Sequence, residues 1–348
     1  MKVKKRRQRG RGQSRLSGHA TICRLDLDVT QANTCRMKAR ALVSSFLLAA
    51  VSTGAVWAGP QQPAAPPQGS ESGIKLTPSE IVLHEFVPTL INWTPQQIRD
   101  CPTLHKLRPA GSQDRLPMIL ERAGQTGTVT FQDFPQIACD EGVISEVGSP
   151  PKKKQQKFRY IVIPRPVGDT RVLEEYRTDP EGKPPEKFNL GDLFMLTSGF
   201  ASSWLYLSPA EQHDSRFRYF GIQAIRNREC HVVGFAQDPA RARRVGELRI
   251  GDSNASTLAQ GLAWIDTQTF QILRVMTWLL APRLDIGLTS EISTVDFNPV
   301  QPSGSERVLW LPRDVNVWVL YRGVAVRNTH HYSNFKLFRV ESTIKPAE

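Results

Sequence analysis

Polar and apolar residues alternate along most of the chain from about Thr128 onward, which is the period-two pattern of β-strands. Short connections with turn-forming residues, such as Arg322-Gly323, separate these runs, so the strands are expected to follow one another as an antiparallel meander. The predicted strands are Lys157–Ile163, Arg171–Arg177, Ser202–Leu207, Arg216–Gln223, Cys230–Ala236, Gly246–Ile250, Gly261–Asp266, Phe270–Ala281, Thr289–Phe297, Arg307–Leu311, Asp314–Tyr321 and Val324–Tyr332. Gly127–Phe131 is a further candidate strand, and Ser145–Gln156 is predicted to be a solvated turn.

The predicted strand Asp314–Tyr321 is apolar on both of its faces. One face carries Val315, Val317, Val319 and Tyr321, and the other carries Asn316, Trp318 and Leu320. Such a strand is expected at the centre of an antiparallel sheet, with a core on one face and a covered or ligand-facing surface on the other.

The segment before this alternating region has the signals of short helices. A helix start with proline at the first helical position occurs at Thr77-Pro78-Ser79-Glu80 and again at Thr94-Pro95-Gln96-Gln97. Further helical segments are predicted at Leu116–Ala123 and within Leu190–Phe200. Residues 74–348 are therefore predicted to form one α+β domain, mainly helical over 74–127 and mainly strands over 128–348. The expected fold is a curved, mainly antiparallel β-sheet with a small N-terminal helical layer.

Residues 37–58, MKARALVSSFLLAAVSTGAVWA, have the three parts of a secretory signal peptide. Lys38 and Arg40 supply the positive region, Leu42–Val51 is the uncharged apolar core, and Val56-Trp57-Ala58 precedes the cut. The apolar run is shorter than the ~20 residues that a transmembrane helix needs, and no cysteine lies at the cut for a lipid anchor. Cleavage near Ala58 and a periplasmic or extracellular mature protein are predicted.

Residues 1–36 precede this signal and begin with a basic stretch, MKVKKRRQRGRGQSR. Three interpretations are open: a leader from a misassigned start codon, which is preferred, a long positive region of the signal peptide, or a basic tail of a cytoplasmic protein. Residues 1–58 carry +10 of the formal charge of +12, so the chain from Gly59 onward carries only about +2. The mature domain therefore has no electrostatic basis for binding nucleic acid. Gly59–Gly73, rich in Pro, Gln and Ser, is predicted to be a disordered tether.

Three cysteines follow the predicted cut: Cys101, Cys139 and Cys230. One disulfide is possible, with Cys101–Cys139 the favoured pair and one thiol left over. No Cys/His spacing indicates a zinc site, and no phosphate loop or nucleophile motif is present. No catalytic residue, metal or cofactor is therefore predicted. His330 and His331 are adjacent on a predicted strand and should point to opposite faces, where they cannot hold one metal ion together without a bulge.

The predicted strands carry many large aromatic side chains. A curved sheet with one thin helical layer has more apolar surface than that layer can fill, and such an excess often lines a pocket for an apolar ligand. The candidate ligand-binding residues are Trp204, Tyr206, Phe217, Tyr219, Trp264 and Trp318.

The stretch from Leu196 to Pro346 resembles a family of exported bacterial proteins of unknown function. The pieces that carry this resemblance are SRFRYFG at Ser215–Gly221, GLAWIDTQTFQILRV at Gly261–Val275, LWLPRDV at Leu309–Val315 and HHYSNFKLFRVES at His330–Ser342. The AWID-turn-QILR hairpin and the succession of long strands are more remotely similar to LolA-like lipoprotein carriers and related periplasmic sensors. That resemblance implies a half-barrel, in which a curved sheet wraps helices around an apolar cavity for acyl chains.

The leading functional hypothesis is an exported periplasmic or envelope-associated protein that binds an apolar ligand, such as a lipid or a lipidated protein, in a sheet-lined cavity. One alternative is a non-enzymatic interaction or structural module of the envelope. Another is a hydrolase whose site combines His330 or His331 with Asp296 or Glu291. Nucleic-acid binding would depend wholly on residues 1–36.

Overall fold

The computed structural model describes residues 89–132, 136–167, 170–183, 200, 203, 206–242, 246–250 and 253–338. Helices α1 (Pro95–Asp100) and α2 (Leu116–Gln132) lie within these ranges, together with short 3-10 helices at Leu90–Asn92, Pro102–Leu104, Gln212–Asp214 and Leu284–Ile286. The strands are β1 (Arg108–Pro109), β2 (Gln136–Val147), β3 (Lys152–Val167), β4 (Thr170–Thr178), β5 (Ser215–Ile225), β6 (Arg228–Gln237), β7 (Gly246–Ile250), β8 (Ser253–Thr257), β9 (Ala259–Asp266), β10 (Ile272–Leu279), β11 (Leu288–Val300), β12 (Leu309–Tyr321) and β13 (Val324–Phe338).

Eleven of these strands form one open sheet in the order β1-β5-β6-β9-β10-β11-β12-β13-β2-β3-β4, and all neighbouring pairs are antiparallel. From β9 to β13 each strand lies beside the next one along the chain, which confirms the predicted meander. Strands β2 to β4 continue the sheet beyond β13, and β7 pairs with β8 in a separate two-stranded sheet. The architecture is the predicted α+β fold with a curved, mainly antiparallel sheet.

One face of the large sheet packs against α2, and we call it the helix face. Ile119 and Ala123 of α2 share a buried cluster with sheet residues of this face. Val315, Val317, Val319 and Tyr321 of β12 belong to the same cluster, as their alternation predicts. Trp318 and Leu320 lie on the opposite face, which we call the outer face.

The N-terminal segment 89–107 covers part of the outer face. Leu90, Trp93, Cys101 and Leu104 are buried with residues of β5, β6, β9, β10 and β11. Trp93 stacks on Trp278 of β10, with ring centroids 6.2 Å apart. The predicted helical layer is thus divided, because α2 lies on one face of the sheet and this segment on the other.

Side chains of β5 fix this segment to the outer face through its backbone. Arg218 Nη1 donates to the carbonyl oxygens of Ile91 at 3.0 Å and Trp93 at 2.6 Å. Gln223 Nε2 donates to the carbonyl oxygens of Thr103 at 3.0 Å and His105 at 2.7 Å. These bonds satisfy backbone oxygens of a segment that forms no strand of its own over these positions.

The capping box predicted at Thr94 is present and starts α1. Thr94 Oγ1 accepts from the backbone N–H of Gln97 at 3.2 Å, and Gln97 Oε1 accepts from that of Thr94 at 2.8 Å. The corresponding start at Thr77, residues 1–73 with the predicted leader, signal peptide and tether, and most of Leu190–Phe200 lie outside the described residues.

The prediction of a strand at Gly127–Phe131 is wrong, because α2 continues to Gln132. Thr126, one residue earlier, shows how a residue with β-propensity is accommodated: its hydroxyl donates to the carbonyl oxygen of Arg122 at 2.8 Å, one helical turn back. The buried face formed by Ile119 and Ala123 anchors the helix on the sheet. Tertiary packing thus outweighs local propensity in this segment.

The prediction of a solvated turn over Ser145–Gln156 is also wrong. Strand β2 extends to Val147 and β3 begins at Lys152, which leaves only a short turn. The lysines alternate between the two faces at this end of the hairpin, and all three are exposed. Lys153 Nζ lies 2.6 Å from Glu146 Oε1 on the outer face. The side chains are polar, but the backbone ladder continues through them.

Two further strand predictions need correction. Within Ser202–Leu207, the described residues Ser203, Tyr206 and Leu207 lie in 3-10 turns, and the Ser203 hydroxyl donates locally to the carbonyl oxygen of Phe200 at 2.6 Å instead of supporting a ladder. Arg307–Leu311 and Asp314–Tyr321 are not two strands, because β12 runs through Pro312. The register shifts opposite this proline, at Asp296/Phe297, which accommodates its missing N–H.

The favoured Cys101–Cys139 disulfide is not formed, and all three described cysteines are free and buried. Cys101 lies in the cluster on the outer face, whereas Cys139 lies in the cluster on the helix face. The sheet separates the two thiols, so no bridge can form without unfolding it.

Candidate functional site

The register of the large sheet aligns side chains of its helix face in rows across the strands. One row is apolar and buried, and consists of Val233, Ala263, Val275, Val295 and Val315. The adjacent row consists of Phe235, Gly261, Thr277, Ser293, Val317, Asn328 and Ser145. A line of small and polar residues therefore crosses an otherwise apolar face, and it does so where the side chains of β9, β10 and β11 are short.

Four residues near the middle of this line are partly exposed: Thr277 and Leu279 on β10, and Glu291 and Ser293 on β11. We call them the central patch. Val275, Val295, Val317 and Val319, which neighbour the patch along and across the strands, are buried. The patch is thus an accessible area of mixed chemistry surrounded by packed valines.

Glu291 is the charged member of the central patch and faces Val319 across the strand pair. Within the part of the chain that the structure describes, its carboxylate has no hydrogen bond and no ion pair. Burial raises the pKa of Glu291, and no neighbouring charge contributes to this shift. Tyr321, two residues beyond Val319 on the same face, has a buried hydroxyl that also lacks a hydrogen-bond partner among the described residues.

Three of the aromatic residues predicted as ligand-binding lie on the helix face at the Phe235 end of the polar row. The Tyr206 ring stacks on Phe235 with centroids 4.8 Å apart, and the Phe217 ring lies 6.4 Å from Phe235. Tyr206 and Phe217 are partly exposed, whereas Tyr219 is buried and its hydroxyl is 3.0 Å from His231 Nδ1. Tyr206 and Phe217 therefore add partly exposed apolar surface on the same face, separated from the central patch by the buried Phe235 and Gly261.

The other predicted ligand-binding residues are elsewhere. Trp264 is buried on the outer face beneath the N-terminal segment, where its Nε1–H donates to Gln223 Oε1 at 2.8 Å. Trp318 is buried on the outer face against Ala325. Trp204 lies outside the described residues.

A buried ionic cluster lies on β2, β4 and β13, and no sequence spacing predicts it. The carboxylate of Glu141 accepts from Arg177 Nε at 2.5 Å and Nη2 at 2.8 Å, from His330 Nδ1 at 2.8 Å and from the Tyr332 hydroxyl at 2.9 Å. The side chains of Glu141 and His330 are fully shielded from solvent. The detectable signal was the alternation of Cys139, Glu141 and Val143, which places a carboxylate among core positions.

The charge of Glu141 is balanced by Arg177, and its hydrogen-bonding capacity is met within this cluster. Burial alone would raise the pKa of Glu141, but the charge and hydrogen bonds of Arg177, together with His330, outweigh it and lower the pKa to about 2. The Arg177 guanidinium also lies over the ring of Tyr160, 5.2 Å from its centroid. Every oxygen of Glu141 is engaged within the cluster, so this carboxylate offers no free position to a ligand.

The pairing of histidines and acids required by the hydrolase alternative is not found. His330 bonds Glu141, and His331, on the opposite face as predicted, lies with Nδ1 2.8 Å from Asp314 Oδ1. Asp296 instead accepts two hydrogen bonds from Arg274, at 2.8 and 2.9 Å. Among the described residues, no group of three or more His, Cys, Asp or Glu side chains could hold a metal ion.

The part of the chain that the structure describes is an open, mainly antiparallel sheet with few helices, and comparison with solved structures found remote similarities. The chain is similar to a putative outer membrane lipoprotein-sorting protein domain from Vibrio parahaemolyticus (13% identity, TM-score 0.37, 63% of this chain and 91% of that one). It is similar to a DUF1329 family protein from Desulfovibrio piger (9% identity, TM-score 0.37, 63% and 92%). It is also similar to a LolA superfamily protein from Nitrosomonas europaea (15% identity, TM-score 0.31, 65% and 94%).

No family model matches the chain, and no curated protein matches it. Because the identities and TM-scores are low, no residue role is transferred from these structures to this sequence. None of the helices in the described part of the chain is long and apolar enough to cross a membrane.

Proposed function

We propose that the protein is exported and binds an apolar ligand, such as a lipid or the acyl chain of a lipidated protein, on the helix face of its sheet. The observation that carries this proposal is the central patch, an accessible area beside one buried, mostly valine row and beside the buried Val317 and Val319 of β12. Leu279 in the patch, and Tyr206 and Phe217 on the same face, offer apolar surface that is not fully buried by the fold.

The free energy of binding would come from the removal of apolar ligand surface from water. Each methylene that leaves water contributes ~0.8 kcal/mol, so about eight methylenes of an acyl chain would supply roughly 6 kcal/mol before the costs of ordering. Thr277 and Ser293 keep the polar row low on β10 and β11, whereas the Phe235 ring lies over Gly261 on β9, so a bound chain would lie over β10 and β11. Export is supported by the signal-peptide pattern of residues 37–58 and is tested by the N-terminal residue of the native protein, expected to be Gly59.

Binding is tested by the fluorescence of N-phenyl-1-naphthylamine, which rises when the dye enters an apolar site. The wild-type protein should bind the dye, and Ser293→Phe, which fills the central patch, should weaken binding at least about tenfold. Thr294→Phe is the matched control, because Thr294 is the next residue on β11, is also partly exposed and lies on the outer face. Both variants should keep the wild-type circular dichroism spectrum.

Two outcomes would overturn the proposal. One is a wild-type protein that gives no dye binding under conditions where it is folded. The other is equal binding by Ser293→Phe and Thr294→Phe, because the helix face would then have no part in it.

A further inference from the structure

Glu291 differs from the other described carboxylates that lie on or near the middle of the sheet. Glu141 is neutralised by Arg177, Asp296 by Arg274 and Asp266 by Arg228. For Glu291, neither a cation nor a hydrogen-bond donor lies within bonding distance in the described part of the chain. It is the charged side chain of the central patch, so an unneutralised carboxylate lies at the proposed ligand site.

This arrangement is costly for the empty protein. A carboxylate beside the buried Val317 and Val319 loses part of its hydration, and without a partner that loss is not offset. The raised pKa of Glu291 reflects the same cost. A residue that stabilised only the fold would be expected to have a partner, as Glu141 does, or to be replaced by an apolar residue of similar volume.

We propose that the ligand carries a protonated amine at its polar end, and that this amine pairs with Glu291 while the apolar part lies against the neighbouring buried valines. This inference rests on the proposed function, since it specifies the chemistry of the ligand of the same site.

The surrounding hydroxyl groups match the donors of an ammonium group. A primary ammonium has three N–H donors and no acceptor, so it needs three acceptors when it leaves water. The carboxylate of Glu291 supplies one, and Ser293 and Thr277, which face each other across β10 and β11, can supply the others. Ser293 follows Glu291 by two residues on the same face, ~7 Å along the strand between Cα atoms. The longer Glu291 side chain can lean toward Ser293 and bring both acceptors within hydrogen-bond distance of one ammonium.

The experiment compares three displacers of N-phenyl-1-naphthylamine that share one alkyl chain: dodecylamine, dodecanol and dodecanoate. On the wild-type protein, dodecylamine should displace the dye at a concentration about tenfold lower than dodecanol, and dodecanoate should be the weakest. Glu291→Gln keeps the shape of the side chain and removes its charge. In this variant the preference for the amine should disappear, so that dodecylamine and dodecanol displace the dye at similar concentrations.

Glu146→Gln is the matched control, because Glu146 is a partly exposed carboxylate on β2 whose ion pair with Lys153 lies on the outer face. It should retain the amine preference of the wild type. The inference about Glu291 is overturned if all three displacers act equally, if dodecanoate or dodecanol is preferred, or if Glu291→Gln still prefers the amine. These outcomes leave apolar binding intact, whereas failure of the dye itself to bind would overturn the proposed function.

Discussion

Glu141 and Arg177 form a two-point ion pair that links β2 to β4 across β3, with Oε2 to Nε at 2.5 Å and Oε1 to Nη2 at 2.8 Å. The Glu141 side chain is fully shielded and that of Arg177 is 9% exposed. The bidentate geometry, together with bonds from His330 and Tyr332, satisfies the carboxylate in a medium that would otherwise oppose its charge.

Replacing one partner of this pair should be strongly destabilising. Arg177→Met keeps the length of the side chain but leaves the Glu141 carboxylate buried without its cation. The expected loss in the free energy of unfolding is roughly 3–5 kcal/mol, measured by urea denaturation at pH 7. The double variant Glu141→Leu/Arg177→Met should recover much of this loss, because it leaves no buried charge unpaired.

The exposed pair Arg108–Glu229 provides the control for that experiment. Its side chains are 65% and 59% exposed, so solvent screens the pair and Arg108→Met should change stability by less than about 1 kcal/mol. Similar losses for Arg177→Met and Arg108→Met would show that burial of the Glu141 pair has no energetic consequence.

The same pair should make stability depend on acid. The pKa of Glu141 is about 2 in the folded protein, against an ordinary value of 4.5. Because the folded-state value is the lower one, the stabilisation is fully present above about pH 4.5 and is lost as the pH falls toward 2. Between wild type and Glu141→Gln, the difference in the free energy of unfolding should therefore shrink by about 3 kcal/mol over this window. A difference that stays constant with pH would contradict the assigned ion pair.

The sequence predicted best those features whose signal is local. The alternation in β12 separates Val315 and Val317 from Trp318 correctly, because burial on each face of a strand leaves a period-two trace. The capping box at Thr94 was also predictable, because all of its donors and acceptors lie within three residues.

The remaining features depend on contacts between distant segments. Glu141 and Arg177 are 36 positions apart and lie on strands separated by a third, so no spacing reveals their pairing. The central patch likewise requires the register of β10 against β11 and β12, which brings Glu291 opposite Val319. Alternation places Phe217, Trp264 and Trp318 in strands, as the structure does. It does not reveal that Trp264 lies on the outer face, because that depends on the strand register and on the N-terminal segment that covers it.

The three described cysteines should be inert in the folded protein. Burial raises the pKa of Cys101 and Cys139, and it raises that of Cys230 to about 12, so little thiolate is present at neutral pH. Iodoacetamide followed by peptide mass spectrometry should detect no labelling at these positions in the native chain and complete labelling in urea. A peptide in which Cys101 and Cys139 are linked before reduction, and which separates after reduction, would contradict this prediction.

Gly234 on β6 should be essential for the N-terminal segment to reach the outer face. A Cβ atom at this position would lie 2.2 Å from Phe220 Cε2 and 2.4 Å from Leu90 Cδ1, so both side chains would have to move. Gly234→Ala should cost roughly 1–3 kcal/mol through overpacking, and hydrogen exchange should accelerate first in residues 89–107, because Leu90 belongs to that segment and the sheet ladder does not depend on it. Gly111→Ala, where a Cβ would meet no atom within 4 Å, should change stability by less than about 0.5 kcal/mol. Equally faster hydrogen exchange in residues 89–107 and in the sheet would contradict this prediction. The segment would then open only together with the sheet and would not be a separable cover.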